Sequence, residues 1–90
     1  MGQNMSEEEK EAKFKALFER ARKGVLAYLV DQGGTLPLDR MHDYSLNTYF
    51  IQHQRFSQLM ESLVDAKLIN YDHGTQVSTI TEEGKLFARG

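Results

Sequence analysis

The run from Gln52 to Gly84, QHQRFSQLMESLVDAKLINYDHGTQVSTITEEG, changes its period once, and that change limits the folds open to the chain. Phe56, Leu59, Met60, Leu63 and Val64 recur at three- and four-residue steps, the spacing of one face of an α-helix. From Leu68 the pattern turns short and strand-like: LINY, a polar turn DHGT, then QVSTIT with β-branched residues alternating in and out. A helix that runs straight into a hairpin leaves one apolar side open. The rest of the chain has to cover it.

That remainder is small. Ninety residues suit a single domain, here residues 6–90 behind a disordered 1–5, and folding at this size buries roughly 60–65% of the chain's surface. The absence of cysteine removes disulfides, thiolate metal sites and cysteine nucleophiles. No apolar run approaches the ~18 residues of a membrane span, and the charged MGQNMSEEEKEAK start is unlike a signal peptide. The expectation is a soluble, cytoplasmic protein without membrane contact.

Before the hairpin, three helical stretches stand out. Ser6 with Glu9 forms a capping box, and Phe14, Leu17, Phe18, Ala21, Val25, Tyr28 and Leu29 keep one stripe. Asp31-Gln32-Gly33-Gly34 ends that long helix with glycine where a left-handed cap is wanted. Gly24, inside it, marks either a bend or the close packing of another backbone. Thr35-Leu36 gives a single strand rung, and Pro37 favours the first turn of a second helix through Leu38 and Met41. A third helix runs from His53 to Ala66, after Ser45, Asn47 and Thr48 as alternative caps and the apolar knot Tyr49-Phe50-Ile51. The Asp72–Thr75 turn uses Gly74 for a positive φ, and Thr81 with Glu82 and Glu83 starts a last short helix. Leu68, Tyr71, Val77 and Ile80 are the hairpin residues expected in the core, with Phe56, Met60 and Leu63 at its centre.

ARKGVLAYLVDQGG, LPLDRMHDYS, FSQLMESLVDAKLINY and STITEEGKLFA resemble, in that order, parts of winged helix-turn-helix proteins: the first, second and third helices and the wing. The likeness is to compact MarR-, PadR- and ArsR-like transcriptional regulators and covers about residues 20–88. LVDAKLI is similar to the helix exit into the wing, and TITEEGK to the wing's end and the following helix. The implied fold is α+β, mainly α. Its order is helix, short strand, helix, helix, two-stranded wing and short C-terminal helix, with the N-terminal helix extended.

By that resemblance the function is sequence-specific binding of double-stranded DNA by a small transcriptional regulator. Gln52, His53, Gln54, Arg55, Ser57 and Gln58 form the major-groove face of the third helix, with Ser62 at its edge. Thr48 and Tyr49 meet phosphate, and His73, Thr75 and Gln76 bring the wing to the backbone. The residue types suit the task, since glutamine pairs bidentately with adenine, arginine with guanine, and serine with a base or a phosphate. The alternative is a winged-helix module for protein contact or dimerisation with little DNA binding. Phe14, Leu17, Phe18 and Ala21, ahead of the domain core, then pair with a second copy.

Charge separates these readings. The net charge is −2, and Lys10, Lys13, Lys15, Arg20, Arg22 and Lys23 all precede Val25, where Glu9/Lys13 and Glu19/Lys23 sit at i,i+4 spacing. From Val25 to Ala66 only Arg40 and Arg55 are basic, against Asp31, Asp39, Asp43, Glu61 and Asp65. The wing has no Lys or Arg, and the Ser45–Ile51 connection is longer and more apolar than the family's tight turn. No enzyme is expected: HExxH, a glycine-rich phosphate loop and a nucleophile elbow are all missing. No cofactor or metal site is expected either, because His42, His53 and His73 lie scattered.

Overall fold

Backbone caps divide the chain into its elements. The computed structural model describes residues 7–90, so the 1–5 terminus and the Ser6 half of the capping box lie outside the described residues. The first helix, α1 (Glu7–Asp31), closes where Gly33 and Gly34 donate to the carbonyls of Val30 and Leu29 at 3.0 and 2.8 Å. This double closure needs a left-handed residue, and Gly33 supplies it at φ 100°. Strand β1 (Thr35–Pro37) and helix α2 (Leu38–Tyr49) follow, with Pro37 capping α2 rather than lying inside it.

Helix α3 (His53–Asp65) ends in the same way as α1, but with Lys67 as the left-handed residue. Lys67 and Leu68 donate to Val64 and Leu63 at 2.9 Å each, turning the chain into strand β2 (Ile69–Asp72). Strand β3 (Val77–Ile80) returns antiparallel, pairing Ile69 with Ile80 and Asp72 with Val77. Thr81 then caps α4 (Glu82–Arg89): its hydroxyl accepts from the Gly84 N–H at 2.9 Å and donates back to the Lys67 carbonyl at 2.7 Å.

Among the described residues this gives four helices and a three-stranded antiparallel sheet of order β1-β3-β2. The architecture is α+β, mainly helical, and compatible with a winged-helix-like layout. The sheet corrects the expectation of a single rung at Thr35-Leu36. All three β1 residues pair with β3, placing Leu36 opposite Ser78 and in the core.

The core lies where α1, α2 and α3 meet the sheet. Leu26, Leu29, Met41, Ile51, Leu59, Leu63 and Ile69 are fully buried, and burial contributes about 1.5–3 kcal/mol for each such side chain. Two further expectations are corrected by register. Val77 is only half-buried, because Ser78 and Ile80 take the inward positions of β3. Side chains along a strand alternate faces, so Val77 and Ile80 cannot both point in. In the turn, the positive φ belongs to Gln76 at 58° and not to Gly74. Gly24 marks no break in α1; the Tyr49 ring packs on it so closely that a Cβ there would overlap the phenol.

Candidate nucleic-acid interface

Helix α3 divides cleanly by burial. Phe56, Leu59, Met60 and Leu63 face the core, while Gln52, His53, Gln54, Arg55, Ser57 and Gln58 are exposed over its first two turns. Nothing acidic appears on the helix before Glu61. Arg55 is held in place: its Nη1 donates to Gln58 Oε1 at 3.2 Å, and its guanidinium carbon lies 4.2 Å from the Phe14 ring centroid. Phe14 belongs to α1, so a turn of that helix in which lysines alternate with glutamates runs beside the start of α3. Lys10 and Lys13 fall within about 6 Å of Phe14 along the helix axis.

The hairpin turn is set by Asp72. Its Oδ1 accepts from the N–H groups of Gly74 and Thr75 at 2.8 and 3.3 Å, and its carbonyl accepts from Gln76 at 2.7 Å. His73, Thr75 and Gln76 are thereby held at the surface, with the His73 ring edge-on to Tyr71 at 4.8 Å. The structure places them on a different element from the α3 face, beyond an intervening groove.

Thr48 is exposed at the end of α2, whereas Tyr49 is half-buried on Gly24. Tyr49 lies edge-on to Tyr44 at 6.0 Å, and Tyr44 stacks on Tyr28 at 3.9 Å with only 7° between the rings. Burial raises the Tyr44 phenol above its ordinary range, and the neighbouring Tyr49 phenol adds to the shift. Tyr49 is therefore a packing residue of the α1–α2 seam before it is a phosphate contact.

The α1 stripe is also partly used up internally. Ala21 is fully buried in the chain's own core, which corrects its assignment to a surface for a second copy, and Phe18 packs partly against that core. Helix α4 lies along α1 and sets Phe87 beneath Arg22 at 5.5 Å. Arg22 pairs with Glu19 at 3.2 Å, in place of the Glu19/Lys23 pair suggested by spacing. Phe14 and Leu17 stay half-buried.

Two surface features escaped the sequence reading. Phe50, between α2 and α3, is 77% exposed and adopts the left-handed conformation with φ 58°. The only sequence signal was the apolar knot at 49–51. The second is a groove of about 630 Å³ between α2, α3 and the hairpin, lined by carboxylates on both sides. No single segment encodes it.

No family model matches the chain, and neither a curated protein nor a solved structure is significantly similar to it. Among the described residues, no group of three His, Asp or Glu side chains is placed to hold a metal ion, and no helix is long and apolar enough to cross a membrane.

Proposed function

We propose that this chain is a small winged-helix DNA-binding protein that acts in transcriptional regulation. The first two turns of α3 enter the major groove, and the 72–76 turn follows the backbone as a wing. The observation that carries the reading is the Arg55–Phe14 contact, which sets the exposed, acid-free start of α3 beside the turn of α1 that carries Lys10 and Lys13. Reading helices contact base edges through their N-terminal residues, and here those residues are Gln, His, Arg and Ser. Gln54 and Gln58 suit adenine, Arg55 suits guanine, and Lys10 and Lys13 supply phosphate attraction that α3 itself lacks. A homodimer through Phe14 and Leu17 would set two such faces in one complex, and a cytoplasmic location fits the role.

The test is titration of isotope-labelled protein with a mixed-sequence duplex at low salt. Chemical-shift changes centred on residues 52–58, with smaller ones at 10–14 and 73–76, and their loss on adding salt, support the reading. An unchanged spectrum at low salt overturns it. Sedimentation then decides the dimer: a mass equal to one chain at high concentration removes it.

A further inference from the structure

We propose that the groove between α2, α3 and the β2–β3 hairpin is a docking site for a basic, amphipathic peptide segment of another protein. Its floor is apolar, built from Leu38, Phe56, Met60, Val64 and Tyr71. Val64 is 40% exposed there, although it continues the core stripe of α3. The rim is acidic on both sides, with Asp39 and Asp43 on α2 facing Glu61 and Asp65 on α3. No Lys or Arg lines the groove; its lining histidines are His42, His53 and His73, and His42 Nδ1 lies 4.0 Å from Asp43 Oδ1.

Charge selects the occupant. Four carboxylates around an apolar trough repel a phosphate backbone, so the acidic part of the groove stands apart from the DNA face proposed above. The two meet only along the edge formed by His53, Ser57, His73 and Gln76. A second copy of this chain is also a poor match. Its lysine-bearing α1 turn alternates Lys10, Lys13 and Lys15 with Glu7, Glu8, Glu9 and Glu11, and the two signs cancel. A foreign helix laid in the groove satisfies both components. Large apolar side chains at i, i+3 and i+4 fill the floor, and Lys or Arg on the flanks meet the two rims. The rim charges then set orientation and partner choice, while the floor supplies most of the binding.

The experiment titrates labelled full-length protein with a synthetic helical peptide of leucine and lysine at that spacing, beside a counterpart with glutamate for every lysine. The expected result is saturable shifts confined to α2, the second half of α3 and the hairpin, from the lysine peptide alone. The double variant Glu61→Lys/Asp65→Lys, checked for an unchanged fold by its spectrum, should weaken the lysine peptide about ten-fold or more. Arg55→Ala should leave it unchanged. Three results overturn the proposal: equal binding of the glutamate peptide, unsaturable shifts spread over Glu82, Glu83 and the α1 glutamates, or no shifts at millimolar peptide. Shifts of Asp39, Asp43, Val64 and Asp65, which lie outside the DNA face, by duplex DNA alone would assign the groove to nucleic acid and overturn it as well.

Discussion

The Arg55 guanidinium lies over the Phe14 ring at 4.2 Å, joining the long first helix to the exposed face of the third. Such a contact at an exposed site is worth about 0.5–1 kcal/mol, so it positions the arginine more than it stabilises the fold. Replacing Arg55 with alanine should therefore leave the melting midpoint nearly unchanged. On the DNA-binding proposal it weakens duplex affinity by about 1–3 kcal/mol, and Phe14→Ala weakens it less. Fluorescence anisotropy with a labelled duplex measures both. Parental affinity in Arg55→Ala would remove that side chain from the interface.

Gly84 sits in α4 against the carbonyl of Leu68, and a Cβ there would overlap that oxygen and crowd Ile80 Cγ1 at 2.7 Å. The same carbonyl already accepts from the Thr81 N–H at 3.0 Å and shares the Thr81 hydroxyl proton with the Lys67 carbonyl, so the backbone has little freedom to retreat. Helix propensity alone would favour alanine by about 1 kcal/mol. Overpacking against fixed backbone opposes it by about 1–3 kcal/mol or more, and packing should win. Gly84→Ala is expected to lower the thermal midpoint by several degrees in a calorimetric scan. A raised midpoint would mean that α4 shifts freely on the sheet.

Phe50 offers the opposite case. Its left-handed backbone is unfavourable for a side chain by roughly 1–2 kcal/mol, and the ring recovers little because 77% of it is exposed. Glycine removes that strain but adds about 0.5–1 kcal/mol of unfolded-state entropy. Urea denaturation of Phe50→Gly should thus show equal or slightly higher stability, and Phe50→Val, with its branched Cβ, a loss of about 1–2 kcal/mol. A marked loss in the glycine variant would show that the ring is covered in solution, and sedimentation would say whether by a second copy.

What was legible in the sequence was local. The α3 stripe from Phe56 to Leu63, the Gly33 stop and the Thr81 start each rest on residues within one or two turns and sit in the structure as the spacing predicts. Val64, expected in the same stripe, is exposed. The misses are non-local. β1 forms because β3 offers it a partner some forty residues away, a pairing that three residues ending in proline do not announce. Tyr49 was assigned to phosphate because its place before α3 was visible, while its packing on Gly24 was not. Ser78 displaced Val77 from the core through register, which depends on where the turn closes at Gln76. The groove needs α2, α3 and the hairpin assembled before its acids face one another. The polar face of α3 was legible as a surface, but its link to α1 through Phe14 was not.

Stability at high pH should report on the tyrosine seam. Tyr44 stacks on Tyr28 and touches Tyr49, and its phenol titrates above its ordinary value of 10.0, first through burial and then through the Tyr49 phenol. A hydrogen bond with Thr48 works against that shift without reversing it. Because the folded pKa exceeds the unfolded one, the folded state holds the proton more tightly. This contribution is fully present below pH 10 and is lost as pH rises through the raised folded value. Urea midpoints followed from pH 8 to 11 should be flat at first and then fall, and Tyr44→Phe should flatten the fall. Phenolate absorbance in the folded protein should show one tyrosine titrating late. An alkaline decline identical in Tyr44→Phe would place its origin outside this seam.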